Sequence, residues 1–147
     1  FDDPTSPQSL ALDWLLNDAI TLAEIGVTTK VLQRYALAVL YYSTDGPNWN
    51  EQVNFLSESD ACSWNDGLIR QDDDDDVSGT GFYCRPRTII QFNERGLNGT
   101  LPWELSLFSD LYFLRVYDNA HFGTLPTELG RLSGLGNLNV GNNSLTG

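Results

Sequence analysis

Apolar residues near the amino terminus recur at the three- and four-residue spacing of amphipathic helices. Ser6 followed by Pro7 is typical of a helix start, with serine as the N-cap and proline as the first helical residue. We therefore expect a helix that runs to about Ile25 and is ended by Gly26. Its predicted buried stripe is Leu10, Trp14, Leu15, Ala19 and Leu22.

A second helical pattern follows and is predicted to begin at Thr28 or Thr29. The run Ser43–Pro47 should end it, because glycine and proline extend a helix poorly. The predicted buried stripe of this helix is Leu32, Tyr35, Ala36, Val39 and Leu40.

After Arg87 the pattern acquires a period of 24 residues, which separates Gly99, Gly123 and Gly147. The same spacing aligns Ile90 with Leu114 and Leu138, Phe92 with Val116 and Val140, Leu101 with Leu125, Pro102 with Pro126, Leu105 with Leu129, Phe108 with Leu132, and Asn119 with Asn143. Each unit is predicted to contain a short strand with alternate side chains in the core, followed by an asparagine that turns inward to bond the backbone of the bend. One unit cannot bury its apolar stripe alone, so the units should stack.

The best-formed unit reads Leu111-x-x-Leu114-x-Val116-x-x-Asn119, then Gly123-x-Leu125-Pro126-x-x-Leu129, and it resembles the plant-type leucine-rich repeat. The amino-terminal half resembles the cap of extracellular proteins of that family. Its motifs are most similar to those of leucine-rich-repeat proteins from algae such as diatoms. The matching residues are Leu40 to Gly46, Trp49, Asn54 to Ser57, Cys62-Ser63-Trp64 and Tyr83-Cys84.

This resemblance implies an α/β solenoid, a right-handed coil with short parallel strands behind a helical, disulfide-bonded cap. Residues 1–86 would form the cap, and residues 87–147 about two and a half repeats of 24 residues that continue beyond Gly147. The open carboxyl-terminal end would be covered by further repeats or by another chain, because it would otherwise expose core residues.

The resemblance also implies a disulfide between Cys62 and Cys84. The family separates these cysteines by a few residues, whereas here they are 22 apart, so we interpret residues 65–81 as an inserted surface loop. The alternative to this disulfide is that both cysteines are free thiols in a cytosolic protein. The sequons at Asn98 and Asn142 add support for glycosylation and a secretory route.

Two positions depart from the repeat pattern. Arg95 stands where the first unit should have its inward asparagine, which we interpret as an irregularity next to the cap. His121 stands where the second unit should have leucine. We interpret it as a packing substitution, with Phe122 helping to fill the space, in preference to a ligand.

The 147 residues carry 20 acidic and 8 basic side chains, a formal net charge of −12. This balance argues against nucleic acid and anionic lipid as partners. Part of the negative charge comes from the run of aspartates at 72–76. This run could offer Ca²⁺ ligands at Asp72, Asp74 and Asp76. The run lacks the ligand spacing of an EF-hand, so a solvated loop without metal is favoured, and no cofactor is expected.

The sequence contains no nucleophile motif, and its single histidine finds no predictable catalytic partner. We therefore do not expect the protein to be an enzyme. A catalytic pair of carboxylates that face each other across a cleft is kept as an option behind the two hypotheses that follow. The leading hypothesis is an extracellular or cell-surface module that binds a protein, peptide or glycan on the concave face of the repeats. The alternative is a structural or adhesive component of a matrix or multi-chain assembly. The predicted ligand contacts are Gln91, Asn93, Phe113, Arg115, Tyr117 and Asn139.

Overall fold

Three α-helices precede seven short β-strands in the part of the chain that the computed structural model describes, residues 3–24, 26–68, 79–85 and 87–146. The helices are α1 (Pro7–Asn17), α2 (Ala19–Ala23) and α3 (Thr29–Ser43). The strands are β1 (Gly81–Tyr83), β2 (Thr88–Gln91), β3 (Asn98–Gly99), β4 (Leu111–Arg115), β5 (Ala120–Gly123), β6 (Asn137–Asn139) and β7 (Ser144–Leu145). Short 3₁₀ helices occupy Gly46–Asn48, Ala61–Ser63, Trp103–Leu107 and Thr127–Arg131.

The first predicted helix is divided in two at Asp18. Ser6 caps α1 as expected, since its hydroxyl accepts a bond from the Ser9 amide at 3.2 Å. Asp18 then adopts an extended backbone, and its carboxylate caps α2 by accepting from the Thr21 amide at 2.9 Å. The predicted stripe is consequently wrong in part, because the break turns its members to different sides. Leu15 is buried and Trp14 half-buried, while Leu10, Ala19 and Leu22 are exposed.

The second predicted helix is confirmed as α3. Thr28 caps it by accepting from the Val31 amide at 3.3 Å, and the helix ends at Ser43. Ala36, Val39 and Leu40 are buried, whereas Leu32 and Tyr35 are half-buried.

Arg34 on α3 is fully buried and joins the three helices to the segment that follows them. Its guanidinium donates to both carboxylate oxygens of Asp18, at 2.7 and 2.5 Å. A buried charge needs such partners, because desolvation would otherwise cost several kcal/mol. Its other partners are the carbonyl oxygens of Ser57 and Ser59 and the rings of Trp14 and Trp64.

The 24-residue units build two ladders of parallel strands. In the first ladder, β2, β4 and β6 lie side by side, with Ile90 opposite Leu114 and Leu114 opposite Leu138. The second ladder has the order β3, β5, β7. Each unit therefore adds one strand to each ladder; the strand in the first ladder was predicted, and the strand in the second was not. The antiparallel strand β1, which the pattern did not predict, closes the first ladder beside β2.

One apolar core joins the helices to the repeats. The ring centroids of Trp49 and Phe92 are 4.8 Å apart, and those of Phe55 and Phe92 are 5.3 Å apart. Leu114 is completely buried in this core, whereas its counterpart Leu138, on the last described strand of the ladder, is 42% exposed.

The predicted disulfide between Cys62 and Cys84 is confirmed, with Cα atoms 5.3 Å apart. Both ends of the predicted inserted loop, residues 65–81, are tied to the sheet. The Asp66 amide donates to the Thr80 carbonyl at 3.0 Å, Thr80 is buried, and Gly81 begins β1. The candidate metal ligands Asp72, Asp74 and Asp76 lie outside the described residues.

Candidate ligand-binding face

The inward asparagines hold the bends between the two ladders. The Asn119 Oδ1 atom accepts from the amides of Arg95 and Leu97 at 3.0 and 3.1 Å, and its Nδ2 atom donates to the Phe92 carbonyl at 2.6 Å. Asn143 repeats the arrangement one unit later and accepts from the His121 amide at 2.9 Å. These bonds satisfy backbone groups that no strand partner reaches, so the predicted inward role of both asparagines is confirmed.

Arg95 shows how the first unit manages without that asparagine. Its side chain points away from the bend, where Nε lies 3.0 Å from both the Thr80 hydroxyl and a Glu51 carboxylate oxygen. The bend is bonded from the cap side, since the Asn50 amide donates to the Arg95 carbonyl at 2.8 Å. The irregularity therefore belongs to the junction with the cap, as interpreted.

His121 occupies the leucine position of its unit and is completely buried. Its Nδ1 atom lies 3.3 Å from the Gly99 carbonyl, and its Nε2 atom has no hydrogen-bond partner among the described residues. Burial lowers the pKa of His121, which favours the neutral ring. The packing interpretation is confirmed, but Phe122 points outward and is 50% exposed, so its expected filling role is wrong.

The outer face of the first ladder carries the predicted ligand contacts, and two of them are covered. Gln91 is 3% exposed and donates through Nε2 to the Gly79 carbonyl at 2.7 Å. Phe113 is 4% exposed and packs with Tyr83 and Ile89 in a small apolar cluster. The cause is β1, which brings Tyr83 onto this face. The expectation that Gln91 and Phe113 face solvent is therefore corrected.

The rest of the face remains accessible and is mostly polar. Arg115 is half-buried, with its guanidinium 4.2 Å from the Phe113 ring centroid and its Nε donating to Asn137 Oδ1 at 3.0 Å. Tyr117 and Asn93 are half-buried and Asn139 is exposed. We call Asn93, Arg115, Tyr117, Asn137 and Asn139 the polar face. Asn137, 24 residues after Phe113, is an outward residue of the third unit that was not among the predicted ligand contacts.

An acidic rim, formed by Glu94 and Asp118, borders the polar face where the strands of the first ladder end. Glu94, Asp118 and Asn142 stand 24 residues apart and all have left-handed backbone, with φ of 57°, 55° and 50°. Asn142 Nδ2 donates to Asp118 Oδ1 at 2.7 Å, which ties neighbouring units together. A cation, several amides and a phenol bordered by carboxylates offer groups for polar recognition.

Two carboxylates outside this face have structural partners. Asp66 accepts from the Thr80 amide at 2.8 Å and from the Tyr83 hydroxyl at 2.5 Å. Burial and the Asp66 carboxylate raise the pKa of Tyr83 well above its ordinary value, so the phenol stays a donor. Glu104 is buried and accepts from Gln8 Nε2 at 3.0 Å, which links α1 to the Trp103–Leu107 segment.

The two sequons differ in their surroundings. Asn98 is exposed on β3, and Asn142 is exposed but bonded to Asp118. Within the described residues, no group of three or more histidine, cysteine, aspartate or glutamate side chains is placed to hold a metal ion. None of the described helices has the length and apolar character needed to cross a bilayer.

No protein-family model and no curated protein matches this chain. Among solved structures, it is similar to the leucine-rich-repeat ectodomain of the receptor kinase SOBIR1 from Arabidopsis thaliana, with 22% identity and a TM-score of 0.39. The matched part covers 40% of this chain and 33% of that ectodomain, so the chain spans about a third of the structure it matches.

Proposed function

We propose that the chain is an extracellular leucine-rich-repeat module, a right-handed coil that binds a protein, peptide or glycan through the polar face. The observation that carries the proposal is the stacking of 24-residue units with their asparagines turned inward. This stacking supports a repeat coil, and a repeat coil offers the outer face of its strands as an extended binding surface.

The composition of the polar face supports recognition. Arginine and tyrosine are enriched where proteins bind partners, and amides beside an aromatic ring suit hydroxyl-rich ligands. Arg115 and Asn137 already hold one another at 3.0 Å, so part of the surface is ordered before a ligand arrives. Such preorganisation lowers the entropic cost of binding.

The extracellular location rests on the disulfide between Cys62 and Cys84. Disulfides persist in oxidising compartments and are rare in the cytosol. We propose further that the module is not an enzyme, because Arg115, Asn93 and Asn139 on the polar face hold amide and backbone groups. Asn93 Oδ1, for example, accepts from the Tyr117 amide at 3.3 Å.

The test is a screen of the oxidised protein against glycan arrays and extracellular peptide libraries, followed by titration of any hit. Arg115→Glu and Asn139→Lys should each weaken binding at least tenfold, because they reverse or add charge on the polar face. Arg131→Glu changes an exposed arginine on the Thr127–Arg131 segment and serves as the matched control. Equal affinities for all three variants and the parent would refute the assignment of the face.

A structural or adhesive role is the second candidate, and the exposure of Leu138 favours it. Leu138 stands at a core position of the repeat yet is 42% exposed on the outer strand of the first ladder. Contact with another chain would cover it. Sedimentation over a hundredfold concentration range separates the two roles: regular polymers support assembly, and a constant monomer mass supports recognition.

A further inference from the structure

The exposure of Phe122 calls for a physical explanation. The side chain lies on β5, in the middle unit of the second ladder, and is 50% exposed. Neighbouring His121 is completely buried, so the strand places its polar ring inside and its apolar ring outside. Such an inversion leaves an aromatic surface that favours a partner with an apolar face.

The register of the second ladder places a sequon beside this ring. Asn98 is opposite Ala120 and Gly99 is opposite His121. Because side chains alternate along a strand, Asn98, Ala120 and Phe122 share one side of the ladder. All three are exposed, while Gly99 and His121 on the other side are buried. Asn98 and Phe122 are therefore diagonal neighbours on parallel strands, and the strand spacing and the rise of two residues place their Cα atoms roughly 8 Å apart.

We propose that Asn98 carries an N-linked glycan whose innermost N-acetylglucosamine lies on the Phe122 ring. Asn98-Gly99-Thr100 has the acceptor sequence, and both Asn98 and Thr100 are exposed. One face of a pyranose presents C–H groups, which are attracted to the electron-rich face of an aromatic ring. The sugar would cover Phe122, which explains why an apolar side chain is acceptable there. This inference rests on the proposed secretory location.

Asn142 provides the matched control within the same chain. Its sequon is also exposed, but the residue 24 positions before it is Asp118, which accepts a bond from Asn142 Nδ2 at 2.7 Å. A glycan on Asn142 would therefore begin beside the Asp118 carboxylate.

The experiment secretes the chain, with a cleavable signal added, from a eukaryotic host that adds high-mannose glycans. Glycopeptide mass spectrometry should find Asn98 occupied. Asn98→Gln should lower the unfolding midpoint by roughly 2–4 °C, whereas Ser144→Ala, which removes the second sequon and keeps the Asn142 bond to Asp118, should leave it unchanged. In a Phe122→Thr background, which introduces the residue found at Thr146, Asn98→Gln should have no effect. Trimming each glycan to a single N-acetylglucosamine should preserve the stabilisation.

Proton NMR of the trimmed protein gives a direct readout that does not depend on stability. Ring protons of the sugar on Asn98 should be shifted upfield by the Phe122 ring current, and Phe122→Thr should abolish the shift. An unmodified Asn98, equal losses in both backgrounds, or sugar protons at their free positions would each overturn the proposal. The added signal secures secretion, so these failures concern the sugar contact alone. Failure of the recognition module would appear instead in the binding assay with Arg115→Glu.

Discussion

The Asn119 side chain makes five hydrogen bonds, to backbone groups of two successive units. Asn119→Ala removes them all and leaves the amides of Arg95 and Leu97 without the oxygen they share. Because the two N–H groups of the amide serve three carbonyl oxygens, a net value of about 1 kcal/mol for each of its two donors and two acceptor sites gives an upper figure of about 4 kcal/mol. Because the residue is half-buried, water can replace some partners, so we expect a loss of about 3 kcal/mol.

Urea unfolding followed by circular dichroism, with the disulfide intact, measures this loss, and the midpoint of thermal unfolding should fall by roughly 6–12 °C. Asn93→Ala is the matched control, because Asn93 makes one long bond, 3.3 Å to the Tyr117 amide, and should cost about 1 kcal/mol or less. Asn119→Asp should be at least as damaging as alanine at neutral pH, since a carboxylate would face three carbonyl oxygens. A cost for Asn119→Ala no larger than that for Asn93→Ala would refute the assignment of the bends to the inward asparagines.

Three further predictions concern the cap and the core. Asp18→Ala leaves the Arg34 guanidinium buried without its carboxylate, so urea unfolding should show a loss of about 3–5 kcal/mol. Burial opposes ionisation of Asp18, but the hydrogen bonds from Arg34 and Thr21 and the charge of Arg34 together outweigh it and hold the pKa of Asp18 below its ordinary value. Its stabilising contribution is therefore complete above about pH 4 and is lost as pH falls through the folded pKa, a loss that Asp18→Asn should abolish. Burial lowers the pKa of His121, so below about pH 6.5 the unfolded state binds a proton that the folded state resists. Stability should fall from pH 7.5 to pH 5, and His121→Leu should reduce that fall; an unchanged slope would contradict the burial argument. Replacing Cys62 and Cys84 together by serine should cost roughly 3 kcal/mol, measured against the oxidised parent.

The repeat region was largely predictable because its information is local and periodic. Ile90, Leu114 and Leu138 stand at one spacing, and each lies opposite the next in the first ladder. Helix α3 was predictable for a similar reason, since Thr28 and the Ser43–Pro47 run mark its ends in the sequence itself. In both cases the neighbours that determine the structure are close in the chain or repeat at a fixed interval.

The remaining features depend on contacts that no local pattern contains. The break at Asp18 reflects an ion pair with Arg34, 16 residues away on another helix. Burial of Gln91 and Phe113 depends on Gly79 and Tyr83, which follow the inserted segment and have no counterpart in the repeat. A periodic pattern is the same in every unit, so it does not distinguish the first strand of the ladder from the others.

Strand β1 gives the first ladder a direction of growth. Its antiparallel pairing with β2 and the Asn65 to Gly81 bridge on its other side occupy the hydrogen-bonding groups at that edge. Duplicated units could therefore be accommodated between existing strands of the ladder or beyond β6, but not ahead of β1. The length of such a protein can be varied 24 residues at a time, by gene duplication or in the laboratory, while its amino-terminal edge stays constant.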